Sequence, residues 1–239
     1  MRPARAARGL ALRARVLRHR GAEVWCPVCA RSLDRFRDDW NRANAVCWRC
    51  GSHERHRAQW LLFERRPELL AGAASLLHFA PEWNLRRRLA RIHGLRYVTA
   101  DLSGSDVDLR LDITDMDLED GSFDAVICSH VLEHVDDDMA AMRELRRITA
   151  SGGWCLVMVP LDLTRQETYE DPAIVAPDDR RRAFWQHDHV RLYAPDIGGR
   201  LRTARFDVEV IEPAREFGEE VTEHCRIADD NWIWLCRPR

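Results

Sequence analysis

The chain has 239 residues, a formal net charge of −2 and 46% hydrophobic residues, enough for one α/β domain of ordinary size and a small accessory module. Near-neutrality excludes a protein that binds nucleic acid through its overall charge. No apolar run approaches the roughly 20 residues that cross a bilayer, and the stretch 9–12 is too short and too interrupted by arginine for a signal-peptide core.

The chain opens on a basic tail. Residues 2–20 hold seven arginines and no acid, and the chain has no lysine anywhere. Every basic side chain is therefore Arg, a compositional bias that weakens any functional argument from Arg alone. The tail over 1–22 reads as a solvated terminus, with RNA contact as its functional alternative.

Residues 23–70 form a second unit. Cys26-Pro27-Val28-Cys29 and Cys47-Trp48-Arg49-Cys50 are separated by 17 residues, the spacing of a zinc ribbon, and each C-x-x-C turn presents two thiolates from one knuckle. Cys26, Cys29, Cys47 and Cys50 are expected to hold a structural Zn2+, with no position left for water or substrate. Gly51 suits the tight turn after the second pair. His53 and His56 are spare donors, read as surface or packing residues. The other cysteines, Cys128, Cys155, Cys225 and Cys236, sit in apolar stretches. This usage fits a reducing cytoplasm better than a secreted disulfide framework. A helix through Trp60–Phe63 is expected to stop near Pro67.

From Ala74 the pattern alternates between strand and helix, defining a domain over 71–239. Ser75–Phe79, Arg96–Ala100, Val107–Leu111, Phe123–Cys128 and Trp154–Val159 read as strands, and Phe206–Ile211 and Trp232–Cys236 as a final pair. Asn84–His93 shows a helical face of Leu85, Leu89 and Ile92. A second helix follows a cap at Asp136–Asp138 and carries Met139, Met142, Leu145 and Ile148, with Gly152-Gly153 ending it. An insertion near 162–188 interrupts the alternation, either as a lid or as an irregular connection. The expected architecture is an α/β, doubly wound, Rossmann-like sheet with helices on both faces.

Such a sheet binds ligands at the carboxyl ends of its central strands. Asp101 ends the second strand, 19 residues after Glu82, where an acid accepts hydrogen bonds from ribose hydroxyls; Leu102 adjoins it. Asp112 could accept from an adenine amino group, with Ile113 packed on the ring.

Arg110–Thr114, the run Asp120-Gly121-Ser122-Phe123-Asp124-Ala125-Val126-Ile127-Cys128-Ser129-His130-Val131-Leu132-Glu133-His134-Val135, and Arg143–Ile148 leading to Gly152-Gly153 resemble the core of class I S-adenosylmethionine-dependent methyltransferases of the type 11 kind. The resemblance covers residues 74–160. It implies seven strands in the order 3-2-1-4-5-7-6 with strand 7 antiparallel, and S-adenosylmethionine as methyl donor. The chain departs from that family's D-x-G-x-G first loop. His78 stands for the acid, Ala80 for the first glycine and Glu82 for the second. Either the loop is a variant in which Glu82 meets the donor's ammonium, or donor binding is lost.

Methyl transfer needs a base only when the acceptor must lose a proton. Ser129 and His130 end the fourth strand, beside the expected methyl group, so His130 is the first candidate for base or acceptor-orienting group. His134 is read as structural. His187 and His189, with Asp188 between them, could form the acceptor wall. Three functions compete: methylation of a small-molecule or sugar-containing acceptor at oxygen; RNA methylation using the tail, Trp25 and Trp48; and a zinc-stabilised interaction protein without catalysis. No membrane partner is expected.

Overall fold

A computed structural model describes residues 18–40 and 42–239, so the Arg-rich tail lies almost wholly outside the described residues. Two short antiparallel hairpins come first. β1 (Val24–Cys26) pairs with β2 (Arg31–Leu33), and β3 (Arg37–Asp39) with β4 (Arg42–Val46). The first hairpin turns through Cys26–Cys29, and β4 delivers the chain to Cys47–Cys50. α1 (Glu54–Arg65) and α2 (Glu68–Ala71) then lead to the sheet.

Seven strands form that sheet: β5 (Ser75–Phe79), β6 (Arg96–Asp101), β7 (Leu109–Arg110), β8 (Phe123–Ser129), β9 (Thr149–Met158), β12 (Phe206–Ile211) and β13 (Ile233–Pro238). Their order is β7-β6-β5-β8-β9-β13-β12, with β13 antiparallel to both its neighbours and the other pairs parallel. This is the expected order. The Phe-Asp pair that opens β8 has a structural purpose: the Asp124 carboxylate accepts from the Ser75 amide (2.9 Å), the Ser75 hydroxyl (2.8 Å) and the Ala74 amide (3.1 Å), locking the start of β5 to β8.

Side-chain alternation splits the core into two layers. Leu76, Ala125, Ile127, Trp154, Leu156, Ile233 and Leu235 face one layer, and Leu77, Val126, Cys128, Cys155, Val157, Trp234 and Cys236 the other. The second layer is closed by α4 (Asp138–Ile148) through Ala141, Met142, Leu145 and Ile148, and by α6 (Ile197–Thr203) through Ile197 and Leu201. Asp137 caps α4, accepting from the Ala140 amide at 2.8 Å. The first layer is closed by α1, by α3 (Trp83–Leu89), and by Val24, Val28, Leu33, Phe36, Cys47 and Cys50 of the cysteine hairpins. Those hairpins therefore share a core with the sheet.

Several boundaries differ from the sequence reading. α3 ends at Leu89, and Ile92 reaches the core from the following turn. β7 keeps only Leu109–Arg110, because the Asp108 carboxylate takes the Thr99 amide and hydroxyl at 2.9 and 2.7 Å. Gly152-Gly153 do not end a helix; they lie inside β9. A β-carbon on Gly153 would stand 2.5 Å from the Asp124 carbonyl oxygen, so close strand approach requires glycine there. The 162–188 insertion contains β10 (Tyr169–Glu170) and α5 (Pro177–Phe184), and β10 pairs with β11 (Arg191–Leu192). Buried Arg191 fastens this segment to the chain after β8, donating to the carbonyls of Leu132, Val135 and Asp136.

Candidate active site

The four paired cysteines converge, with all Sγ atoms within 4.8 Å of one another. Cys26 and Cys50 lie 3.5 Å apart and Cys29 and Cys47 3.8 Å. A disulfide needs about 2.05 Å, whereas thiolates about 2.3 Å from one ion at tetrahedral angles stand about 3.8 Å apart. The set fits a tetrahedral metal. Two further groups agree with that. The Arg49 amide points at Cys47 Sγ (3.4 Å), and the Ser52 hydroxyl lies 3.1 and 3.2 Å from Cys26 and Cys50. Behind them Arg57 is fully buried and has no carboxylate partner among the described residues. It donates to the carbonyls of Ala45, Ser52, Cys225 and Arg226 at 2.6–2.8 Å and lies over the Phe36 ring. A zinc ion bound by four thiolates carries a formal charge of two minus, which would compensate that guanidinium.

The loop after β5 opens a cavity of about 410 Å³ lined by Ala80, Pro81, Glu82, Trp83, Arg86, Asp101 and residues 104–107. Ala80 replaces glycine yet keeps a left-handed backbone (φ +43°), so the tight approach survives the substitution at a steric cost. Asp101 also shapes the neighbouring turn: its Oδ1 accepts from the Ser103 and Gly104 amides at 2.9 and 2.8 Å. Leu102 beside it is exposed, and Ile113 is buried. Exposed Asp112 holds its own turn, accepting from the Thr114 amide and hydroxyl at 2.9 and 2.7 Å, bonds that keep its carboxyl below the usual range.

Glu82 is the junction of this site. Arg55 Nε donates to its Oε1 at 3.2 Å, and His56 Nε2 lies 2.9 Å from the same oxygen. Its Oε2 is 3.6 Å from Nε2 of fully buried His78, whose Nδ1 is 2.9 Å from the Tyr97 hydroxyl. Burial alone would raise the Glu82 carboxyl, but His56, His78 and Arg55 hold it well below the ordinary carboxylate range. Across the crevice, Gln59 of α1 donates to the Ser129 hydroxyl at 3.0 Å. The sequence reading takes the histidines of the run Ser52–Arg57 as surface or packing residues and assigns none of Arg55, His56 and Gln59 to the site; His56 is packed, at 2% exposed. Their only sequence signal is the run of polar residues directly after the second cysteine pair.

At the end of β8, His130 takes a left-handed backbone (φ +55°), and its Nδ1 lies 3.4 Å from Oε1 of Glu133. Burial and the Arg55 guanidinium push the His130 imidazolium down to about 3. Burial pushes the Glu133 carboxyl up to about 7. Glu133 is 1% exposed, and neither carboxyl oxygen has a hydrogen-bond partner among the described residues. Donor atoms of Glu133, His134 and His189 all lie within 4.8 Å of one another, a grouping able to take a cation. Buried His189 is fixed by the Phe184 carbonyl at 2.8 Å. His134, read as structural, thus stands beside the acid, whereas His187 is exposed and pairs with Asp188, at 3.7 Å. Trp25 and Trp48 are partly buried and pack against the core, and one face of Trp48 stacks on His19 with centroids 4.5 Å apart.

Residues 83–157 match the family model described as "Methyltransferase domain". A ubiquinone biosynthesis O-methyltransferase of Xanthomonas oryzae pv. oryzae is 37% identical over 86 residues, covering 35% of this chain and 32% of that protein. The match thus spans about a third of that curated relative's length. The 1,6-didemethyltoxoflavin-N1-methyltransferase of Burkholderia thailandensis, solved with 1,6-didemethyltoxoflavin and S-adenosylhomocysteine bound, superposes with a TM-score of 0.50 at 12% identity, covering 78% of this chain and 79% of its own. The cyclase SpnF superposes equally well (TM-score 0.50, 14% identity, 85% and 86% coverage), so these two likenesses establish the fold and no chemistry. Strand order and the converging cysteines show a seven-stranded, Rossmann-like α/β domain with a four-cysteine cluster in front of it, and within that domain residues 83–157 are similar to the family model described as a methyltransferase domain.

Proposed function

We propose that the protein transfers a methyl group from S-adenosylmethionine to an oxygen of a small-molecule or sugar-containing acceptor, and that its four-cysteine cluster holds structural zinc. One observation carries the reading. At the carboxyl ends of β5 and β8 the polar atoms His78 Nε2, Glu82 Oε2, Gln59 Oε1 and both Glu133 oxygens are buried without hydrogen-bond partners among the described residues. Unpaired buried groups are costly unless a ligand completes them.

S-adenosylmethionine would supply an electrophilic methyl group on a sulfonium. Glu82 holds the ammonium of its amino-acid end, with the left-handed turn at Ala80 allowing close approach and His78 supporting the carboxylate from behind. Asp101 receives the ribose hydroxyls through the oxygen its own turn leaves free. Leu102 and Ile113 flank the adenine, and Asp112 receives its amino group. Ser129, fixed by Gln59, lines the floor. His130, kept neutral by its burial, accepts a hydrogen bond from the acceptor hydroxyl and orients it, with Glu133 beside it. His189 orients the acceptor, and His187 marks the rim of the 162–188 segment. Residues 1–22, 23–70 and 71–239 serve as tail, zinc module and catalytic domain, and the thiol usage fits a reducing cytoplasm.

Calorimetric titration with S-adenosylhomocysteine tests the donor site. The intact protein should bind, and Asp101→Ala should weaken binding about tenfold, the loss of one good hydrogen-bonded contact of about 1.4 kcal/mol. Absence of binding in the intact protein would overturn the enzymatic reading in favour of an interaction protein. An activity screen over metabolite and RNA pools then identifies the acceptor.

A further inference from the structure

The cysteine cluster and the donor loop are joined by several independent contacts. Arg88 of α3 donates to the Val28 carbonyl, inside the first cysteine pair, at 2.7 Å. Asn84 Nδ2 reaches the carbonyl of Gly51, the residue after Cys50, at 3.4 Å. The same Asn84 amide lies 3.0 Å from His56 Nδ1, which also accepts the His53 amide at 3.0 Å. A backbone N–H can only donate, so Nδ1 is the acceptor and Nε2–H is left to donate to Glu82. Arg55 adds its own hydrogen bond to that carboxylate, and Gln59, one turn on, holds Ser129 on the opposite wall. The helix that begins four residues after Cys50 therefore spans the crevice, with one partner at each central strand end.

We infer that the metal-loaded cysteine module is a working part of the donor pocket: by fixing the start of α1 it sets Arg55 and His56, and these position Glu82, so that zinc occupancy and donor affinity are thermodynamically coupled. The inference rests on the reading of the crevice as the donor site and of the cluster as a zinc site. It assigns Arg55 and His56 as positioning residues and gives the module a role other than acceptor or RNA recognition. The physical ground is proximity without slack. Gly51 and Val28 are hydrogen-bonded directly to α3, whose first turn follows Glu82, so a knuckle that opens when its ion leaves drags the loop with it. Glu82 would then lose two of the three groups that keep a buried carboxylate charged, with His78 alone remaining.

Coupling of this kind is reciprocal: if zinc tightens donor binding by a factor, the bound donor tightens zinc by the same factor. The test uses the full zinc-loaded chain and S-adenosylhomocysteine as the probe. Its affinity is measured calorimetrically for the loaded protein, after stoichiometric zinc removal, and for zinc-loaded Arg55→Met, His56→Ala and His56→Gln. Equilibrium competition with a chromophoric zinc chelator is run with and without saturating S-adenosylhomocysteine. Expected results are an affinity at least tenfold lower without zinc and in Arg55→Met and His56→Ala, partial recovery in His56→Gln, and a matching rise in the chelator needed to remove half the zinc when the ligand is bound. If the zinc-free chain unfolds, any ligand of the folded state would raise zinc retention, and the zinc-loaded Arg55→Met and His56→Ala variants then decide. Equal zinc retention with and without ligand, together with unchanged affinity in the variants, overturns the coupling while leaving the donor site intact. Failure of the loaded, unmutated protein to bind S-adenosylhomocysteine overturns the donor-site reading itself.

Discussion

Replacing Arg57 by Met should be among the most damaging single changes in the chain. The guanidinium is fully buried and donates to four backbone carbonyls, those of Ala45 and Ser52 in the cysteine module and of Cys225 and Arg226 near the carboxyl-terminal strand. Met fills similar volume but returns no donor, so the loss is one of hydrogen bonding and charge rather than of packing. Each carbonyl left dry costs about 1–3 kcal/mol. With one or two rehydrated at the module edge, a net loss of about 4 kcal/mol is expected, a large part of the 5–15 kcal/mol that holds an ordinary domain together. Equilibrium urea unfolding of the zinc-loaded protein reads this as a midpoint lowered by about 2 M, for a slope of about 2 kcal/mol per molar. Arg57→Lys keeps the positive charge but not the planar fork, and should fall about midway. A midpoint drop below about 0.5 M in Arg57→Met would refute the reasoning, because it would mean that the four carbonyls find other partners at little cost.

Further outcomes follow from the site. Glu133 has a folded value near 7 against an ordinary 4.5, so the native state binds the extra proton between those values and loses stability as pH climbs through them. Glu133→Gln does not titrate; its stability relative to the parent should therefore rise between pH 5 and 8 by about 3 kcal/mol at most, read from urea midpoints at the two pH values. A difference independent of pH would show that the carboxyl is already charged when buried. Ala80→Gly relieves the left-handed strain while adding freedom to the unfolded chain, for a net gain of about 0.5 kcal/mol and a melting temperature higher by about 1–2 °C. A lower melting temperature would mean that the Ala80 methyl packs more than it strains. His130→Asn should hold S-adenosylhomocysteine within about twofold of the parent but slow methyl transfer about a hundredfold, with the loss confined to turnover; unchanged turnover would remove His130 from the chemistry.

Most of the sheet was legible in the chain because its central strands are buried on both faces. Phe123–Cys128 and Trp154–Val159 are continuous apolar runs of the kind a central strand accommodates, and Asp124 ties β8 to β5. The four-cysteine cluster was legible for another reason: two C-x-x-C turns carry their geometry within a few residues. Gly152-Gly153 misled because a glycine pair after a helical pattern reads locally as a stop. Its actual cause is the nearness of the Asp124 carbonyl, about thirty residues away in sequence. His56 and Arg55 stayed hidden since their partner Glu82 lies 26 and 27 residues on, and polar residues at the start of a helix look like solvent-facing ones until the partner is placed.

The sequence by itself determined the main strands of the seven-stranded sheet and the four-thiol cluster, because each is written in local periodicity or in a motif a few residues long. Only the tertiary structure decided what the departures from the family's glycine loop amount to. It placed Ala80 in a glycine's conformation, set His78 behind Glu82, and brought Arg55 and His56 from the cysteine module onto that same carboxylate. A buried charge is defined by what surrounds it in space, and no stretch of chain contains its own surroundings.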